Sequence, residues 1–178
     1  MKKKNTWDAY TLTGIGVMAA AVYVVTLFRF QLLGSKVHFA NSLCILSGFL
    51  LGPVPGGLAA GLGSGLYDLM YGYGAESIIT LVSKFAMGWV AGRVFLAFGE
   101  ERQRIDYLAI ASGSGAFTYV LLYMLKSLIF YGWGGVASRL PASTINAVVA
   151  IIATPIFFTA LWPAVKPLMN RERKHRES

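Results

Sequence analysis

The sequence predicts an all-α integral membrane protein, a bundle of six transmembrane helices with both termini in the cytoplasm. Hydrophobic residues make up 56% of its 178 residues, and the mean hydropathy is +0.58. Only 13% of the residues are charged, whereas a soluble domain normally has about 25%. The length suits one compact bundle, so residues 1–178 are expected to form a single domain.

Apolar runs of a length that can cross a bilayer divide the chain into six candidate spans. These spans cover residues 11–28, 37–51, 54–70, 76–98, 107–130 and 141–165. Short basic tails at 1–9 and 167–178 flank them. The first apolar run follows Lys2, Lys3 and Lys4 but precedes no small-residue cleavage site, so we interpret it as an uncleaved helix.

Small residues lie on one face of the first span. Gly16 and Ala20 are four residues apart and therefore share a helix face. Helices in lipid associate through small residues because these let the backbones approach closely. The face could pack inside the bundle or dock a second membrane protein, and its spacing leaves both possibilities open.

Spans two and three are predicted to form a helical hairpin through the turn Gly-Pro-Val-Pro-Gly at 52–56. Glycines recur every four residues in span three, at Gly57, Gly61 and Gly65, which indicates a helix packed centrally in the bundle. Polar residues stand at the end of the hairpin away from the turn: His38, Asn41 and Asp68.

Spans four to six carry polar side chains in the same half of the membrane. Glu76 begins span four, and Lys84 lies about 12 Å further along it. Lys126 and Asn146 lie near the corresponding ends of spans five and six, and Tyr119 and Tyr123 share a face of span five. Each has a structural explanation: snorkelling for Glu76 or Lys126, an ion pair between Lys84 and Asp68, an interhelical hydrogen bond for Asn146. Their common depth favours a polar cavity that opens on one side.

The distribution of basic residues sets the expected orientation. Six spans place ten on one side: Lys2, Lys3, Lys4, Arg102, Arg104, Lys166, Arg171, Arg173, Lys174 and Arg176. Three lie on the other side: Arg29, Lys36 and Arg139. Basic residues collect on the cytoplasmic side, so both termini are expected there and the cavity faces outward. The same rule explains the net charge of +8 without nucleic-acid binding.

Signatures of catalysis and of metal or cofactor binding are missing. The two histidines, His38 and His175, form no HExxH motif, and no phosphate-binding loop occurs, so the chain cannot hydrolyse ATP by itself. Cys44, the single cysteine, lies in an apolar run. We therefore predict neither enzymatic activity nor a cofactor.

The run from His38 to Val94, HFANSLCILSGFLLGPVPGGLAAGLGSGLYDLMYGYGAESIITLVSKFAMGWVAGRV, resembles the substrate-binding S component of energy-coupling factor (ECF) transporters. The resemblance implies a multi-pass protein of the prokaryotic cell membrane that binds a vitamin or related micronutrient with high affinity at its outer face. It further implies a membrane coupling protein and two ATPase subunits as partners, and toppling of the S component to release substrate inward.

The resemblance also assigns roles to residues. Family members dock on their coupling protein through Ala-x-x-x-Ala on the first helix, and the matching positions are Gly16 and Ala20. The ligand pocket of the family lies between the outer loops and the outer parts of helices four to six. Together with the depth argument, this nominates eight ligand contacts: Lys84, Glu76, Lys126, Tyr123, Asn146, His38, Asn41 and Asp68.

Two rival functions are weighed against this one. A stand-alone facilitator or channel would need polar residues that continue to the inner face, which the spans lack. A membrane-embedded enzyme would have to use Lys84 or His38. If the chain is a substrate-binding subunit, the charges indicate its ligand. The lysines and arginines at the outer end outnumber Glu76 and Asp68, which favours a ligand with a carboxylate or phosphate.

Overall fold

The computed structural model describes residues 9–28, 30–32 and 35–177, with side chains at 9–28, 38–99, 101 and 103–166. Its elements are α1 (Ala9–Leu27), β1 (Phe30–Leu32), β2 (Ser35–Val37), α2 (Ala40–Leu51), α3 (Pro53–Met70), α4 (Glu76–Ala97), a 3-10 turn (Gly99–Gln103) and α5 (Ile105–Glu177). Several basic residues used to predict the orientation lie outside the described residues or side chains: Lys2, Lys3, Lys4, Arg29, Lys36, Arg102, Arg171, Arg173, Lys174 and Arg176.

The long helix α5 consists of two helices joined at Gly132. This glycine has φ 63° and ψ −165°, a left-handed conformation that side chains disfavour. The expected loop at 130–140 is wrong, because the backbone is helical on both sides of Gly132. The second half also continues past the predicted end at 165, up to Glu177.

The predicted hairpin of α2 and α3 is present with a tighter turn than expected. Gly52 alone separates the two helices, with φ 84° and ψ 177°, and Pro53 is already the first residue of α3. Proline suits this position because its missing N–H would have no helical partner there. Helix α2 begins at Ala40, three residues later than predicted, because the preceding residues pair as strands, with Phe30 opposite Val37.

Glycines on α3 bring three helices into close contact, as their spacing predicted. A Cβ atom at Gly61 would lie 2.8 Å from the carbonyl oxygen of Leu81 on α4. On another face of α3, a Cβ atom at Gly63 would lie 2.9 Å from Cβ of Val22 on α1. No side chain larger than hydrogen fits at these crossings, so α3 lies at the centre of the bundle.

Aromatic rings fill the core between α2, α4 and the second half of α5. Phe49 stacks on Phe95 with ring centroids 4.5 Å apart, and Phe158 packs edge-on against both rings at 5.8 and 5.2 Å. All three side chains are fully buried. Phe95 lies 11 residues beyond Lys84, or about 16 Å further along α4. This cluster therefore closes the bundle on the side of α4's C-terminus.

Three of the described helices are long and apolar enough to cross a membrane, namely Ala9–Leu27, Glu76–Ala97 and the stretch Ile105–Lys166 of α5. Helix α2 is a shorter apolar helix of 12 residues. Together with the apolar composition, these helices make the chain a helical membrane protein.

Candidate ligand-binding cavity

A cavity of about 400 Å³ opens at the end of the bundle where α4 begins. Seven of the eight predicted contacts line it: His38, Asp68, Glu76, Lys84, Tyr123, Lys126 and Asn146. The eighth, Asn41, is fully buried beside it and contacts Lys84. Residues from α2, α3, α4 and both halves of α5 thus meet at one place, although they are more than 100 positions apart in sequence.

Lys84 lies at the inner end of the cavity. Its side chain is buried, with 7% of its surface exposed, and its ammonium donates a short hydrogen bond to Oδ1 of Asn41. The same ammonium stands 4.0 Å from the ring centroid of Tyr119, a favourable cation–π distance. The ion pair considered between Lys84 and Asp68 is wrong: no ion pair joins them, and an amide and a ring surround the cation instead.

A second polar group lies at the outer end, centred on Glu76. Lys126 forms an ion pair with Glu76 at 3.0 Å and donates a hydrogen bond to Thr80 at 3.0 Å. The hydroxyl of Tyr131 donates a short hydrogen bond to the other carboxylate oxygen of Glu76. Arg139 covers the Tyr131 ring at 3.7 Å. Snorkelling to the membrane interface was considered for Glu76 and for Lys126 separately. The two side chains instead form an ion pair with each other.

Asn146 fixes the entry to α2. Its Oδ1 accepts a hydrogen bond of 3.0 Å from the backbone N–H of His38, and its Nδ2 donates to the carbonyl of Ala142 at 2.9 Å. The first bond joins α5 to the segment before α2 and the second lies within α5, so neither is the interhelical bond considered for Asn146; both His38 and Asn146 line the cavity. His38 itself precedes α2 and does not lie within its first turn.

Several lining residues were outside the set of predicted contacts: Thr26, Ser64, Tyr73, Thr80, Ser83, Tyr119, Tyr131, Ser138, Arg139 and Ser143. Tyr119 was recognisable from its four-residue spacing to Tyr123, and the two rings lie 5.4 Å apart. Arg139 and Tyr131 were assigned to an outer loop, whereas the backbone is helical on both sides of Gly132 and both residues line the cavity. No sequence signal distinguished the serines and threonines.

The chemistry of the cavity is that of binding. Hydroxyls, amides and three cations supply hydrogen-bond donors, and the Tyr119 and Tyr123 rings offer flat apolar surface. Among the residues that the structure describes, no group of three or more His, Cys, Asp or Glu could hold a metal ion. The arrangement suits a small organic molecule with an aromatic part and polar edges.

The small residues of α1 lie far from these groups, on the surface of the bundle. Gly16 and Ala20 are both exposed, and a Cβ atom added at Gly16 would meet nothing within 4 Å. Gly14, two residues earlier, instead packs against Leu51. The face of Gly16 and Ala20 is therefore not used for packing within the described part of the chain.

Comparisons with known proteins agree with this architecture. The family model for the ECF-type riboflavin transporter, S component, matches residues 6–162. A Pyrococcus woesei protein known only as an uncharacterized protein in a gap 3′ region is 30% identical over 116 residues, which cover 65% of this chain and 75% of that protein. A solved structure, described as the S component of a bacterial ECF transporter, superposes with a TM-score of 0.63 at 20% identity. The superposition covers 88% of this chain and 98% of that one.

Proposed function

Because the chain belongs to the ECF-type riboflavin transporter S-component family, we propose that it captures a flavin for uptake and delivers it to the transporter's other subunits. The family makes the chain a substrate-binding subunit of an ECF transporter and not a member of an enzyme family. The proposal has three parts. The substrate is riboflavin or a close derivative, the partners are a membrane coupling protein and two ATPases, and the location is the prokaryotic cell membrane.

The observation that carries the proposal is the pairing of tyrosine rings with polar groups in one cavity. A flavin has a flat tricyclic ring with carbonyl and imide groups along one edge and a hydroxylated side chain. Tyr119 and Tyr123 can contact such a ring through their faces. Asn146 and Ser143 can bind its polar edge, and about 400 Å³ is within the usual size of small-molecule sites.

We further propose that the chain crosses the membrane six times as one domain, with the cavity on the outer side. The apolar part of α5 has 62 residues and would extend about 90 Å as one helix, whereas a bilayer core is about 30 Å thick. The break at Gly132 divides it into two crossings. Arg104 then lies at the end opposite the cavity, where the positive-inside rule expects cytoplasm.

The aromatic cluster argues against the rival function of a stand-alone channel or facilitator. Phe49, Phe95 and Phe158 are fully buried beyond the inner end of the cavity, and Met87 and Ala91 are fully buried between Lys84 and this cluster. Such packing places large apolar side chains beyond the inner end of the cavity. A subunit that binds on one side and needs partners for release agrees better with this geometry.

Flavin titration of the purified protein tests the proposal. Riboflavin fluorescence should be quenched saturably at a 1:1 ratio, and a flavin should co-purify and be detectable by native mass spectrometry. Tyr123→Leu should weaken binding about fivefold or more, because loss of a stacking ring costs about 1 kcal/mol or more. The control is Tyr107→Leu. The Tyr107 ring stacks on Phe98 with ring centroids 4.3 Å apart and does not line the cavity, so this variant should leave binding unchanged.

Two results would contradict the proposal. Absence of flavin binding to a folded protein would remove the flavin as substrate. Flavin uptake by cells that lack every coupling ATPase would instead support the facilitator, since an S component depends on its ATP-hydrolysing partners.

A further inference from the structure

The charges that line the cavity do not balance. Three cations, Lys84, Lys126 and Arg139, face two carboxylates, Asp68 and Glu76. Lys126 and Glu76 neutralise each other at the outer end, with side-chain exposures of only 5% and 15%. The remaining groups leave an excess of one positive charge.

Two of the three cations, Arg139 and Lys84, form no ion pair with a described carboxylate, and Lys84 is the buried one of the two. Within the described part of the chain, no carboxylate oxygen lies within 4.0 Å of its ammonium. One of its three N–H donors binds Asn41, and the Tyr119 ring covers another side. A buried ammonium without an anionic partner costs several kcal/mol, and a neutral amide and a ring offset only part of that cost.

The position of Lys84 makes it accessible only through the cavity. It lies eight residues beyond Glu76, hence about 12 Å inward along α4 from the outer ion pair. Met87 and Ala91, on the next turns of α4, are fully buried. A counter-charge closer than that of Asp68, which lines the same cavity beyond ion-pair distance, can therefore reach Lys84 only from a molecule that fills the cavity.

We propose that the substrate carries a negatively charged group that binds Lys84, so that among flavins the cavity prefers flavin mononucleotide to neutral riboflavin. This inference rests on the proposed function as a flavin-binding subunit. A hydrogen bond from the ammonium to a phosphate oxygen adds the Coulomb attraction of two opposite charges, which a neutral acceptor lacks. This attraction is stronger in a buried site, where the effective dielectric constant is low.

Parallel titrations of the two flavins test the inference, because these ligands differ by a single phosphate. The purified protein should bind flavin mononucleotide with a Kd about tenfold or more below that for riboflavin, the difference expected from one charge-assisted contact. Lys84→Met should remove the preference by weakening binding of the mononucleotide. Lys84→Arg keeps the charge and should retain the preference. Arg93→Met, on the exposed inner part of α4, is the matched control for loss of a cation.

The alternative outcomes separate this inference from the proposed function. Equal or tighter binding of riboflavin would overturn the anion preference while leaving flavin binding intact. A preference that persists in a folded Lys84→Met protein would show that Lys84 is not its origin. If neither flavin binds, the proposed function and this inference both fail.

Discussion

Glu76 joins α4 directly to the first half of α5 and, through Tyr131, to the second half. Lys126 approaches it from the half before Gly132, and Tyr131, next to the break, donates to its second oxygen. Arg139, from the half after the break, lies on the Tyr131 ring. One carboxylate thereby supports the geometry of the kink and the outer wall of the cavity.

Replacement of Glu76 tests this role. Glu76→Gln should destabilise the ligand-free protein by about 3 kcal/mol, because it leaves the buried Lys126 without its counter-charge. Glu101→Gln is the matched control: Glu101 pairs with Arg104 at 3.4 Å, but its side chain is 62% exposed, and exposed pairs contribute about 0–1 kcal/mol. Thermal unfolding can be followed with a thiol-reactive dye, since Cys44 is the single cysteine and is buried.

Equal melting temperatures for the two variants would mean that the Glu76 pair contributes no more than a surface pair. A double variant, Glu76→Gln with Lys126→Met, adds a second criterion. It should be more stable than Glu76→Gln alone, because the unpaired cation is gone.

Among the contacts between helices, that between α3 and α4 depends most on glycine, because no side chain fits between the two backbones. Gly57 and Gly61 both face backbone oxygens of α4, at 2.8 Å from the position that a Cβ atom would occupy. A backbone atom cannot move aside as a flexible side chain can. A methyl group at either site would therefore push the two helices apart.

Gly61→Ala should destabilise the bundle by about 1–3 kcal/mol, the usual cost of overpacking. Gly113→Ala is its control, because a Cβ atom added at Gly113 of α5 meets nothing within 4 Å. That variant should be unchanged or slightly more stable, since alanine favours helix over glycine by about 1 kcal/mol. A melting temperature for Gly61→Ala at or above that of Gly113→Ala would refute the packing argument.

Elements with a repeating pattern could be predicted from sequence, and those set by tertiary contacts could not. The glycines of α3 and the turn at Gly52 follow from local spacing and backbone conformation. The helix after Gly132 was not predicted, because a glycine-rich stretch is typical of a loop. The contacts of Tyr131 with Glu76 and with Arg139 are tertiary and have no local sequence signal.

The candidate site shows the same division. The depth of a residue along a helix follows from the rise of about 1.5 Å per residue. This rise was sufficient to predict that the polar residues lie in the same half of the membrane. The partner of Lys84 depends on how each helix is rotated about its axis, which the sequence does not encode locally. Asn41 and Asp68 were therefore both predicted as ligand contacts and Asp68 was considered as a partner of Lys84, whereas Asn41 binds the ammonium.

At the scale of the whole molecule, the cavity and the small-residue face of α1 are separate surfaces. The cavity lies between α2, α3, α4 and α5 at the end of the bundle where α4 begins, and the aromatic cluster closes its inner end. Gly16 and Ala20 face outward from α1, and neither lines the cavity. If this face docks the coupling protein, as proposed from the family resemblance, a change there should affect transport without affecting binding.

Gly16→Leu tests this separation. The leucine fits the isolated subunit, where nothing lies within 4 Å, but it would prevent close approach of a partner helix. Flavin uptake by cells that contain the coupling protein and both ATPases should fall about tenfold or more, the effect expected when a close helix contact worth about 1.4 kcal/mol or more is lost. The Kd of the purified variant should stay at the wild-type value.

Gly113→Leu, at another glycine where an added Cβ atom meets nothing within 4 Å, controls for the effect of a bulky residue and should leave both uptake and binding unchanged. Parallel loss of uptake and binding in Gly16→Leu would mean that the α1 face stabilises the bundle itself. Full uptake with unchanged binding would mean that the coupling protein docks elsewhere. Only selective loss of uptake agrees with a docking face, because the cavity and α1 then act as independent parts of one transport cycle.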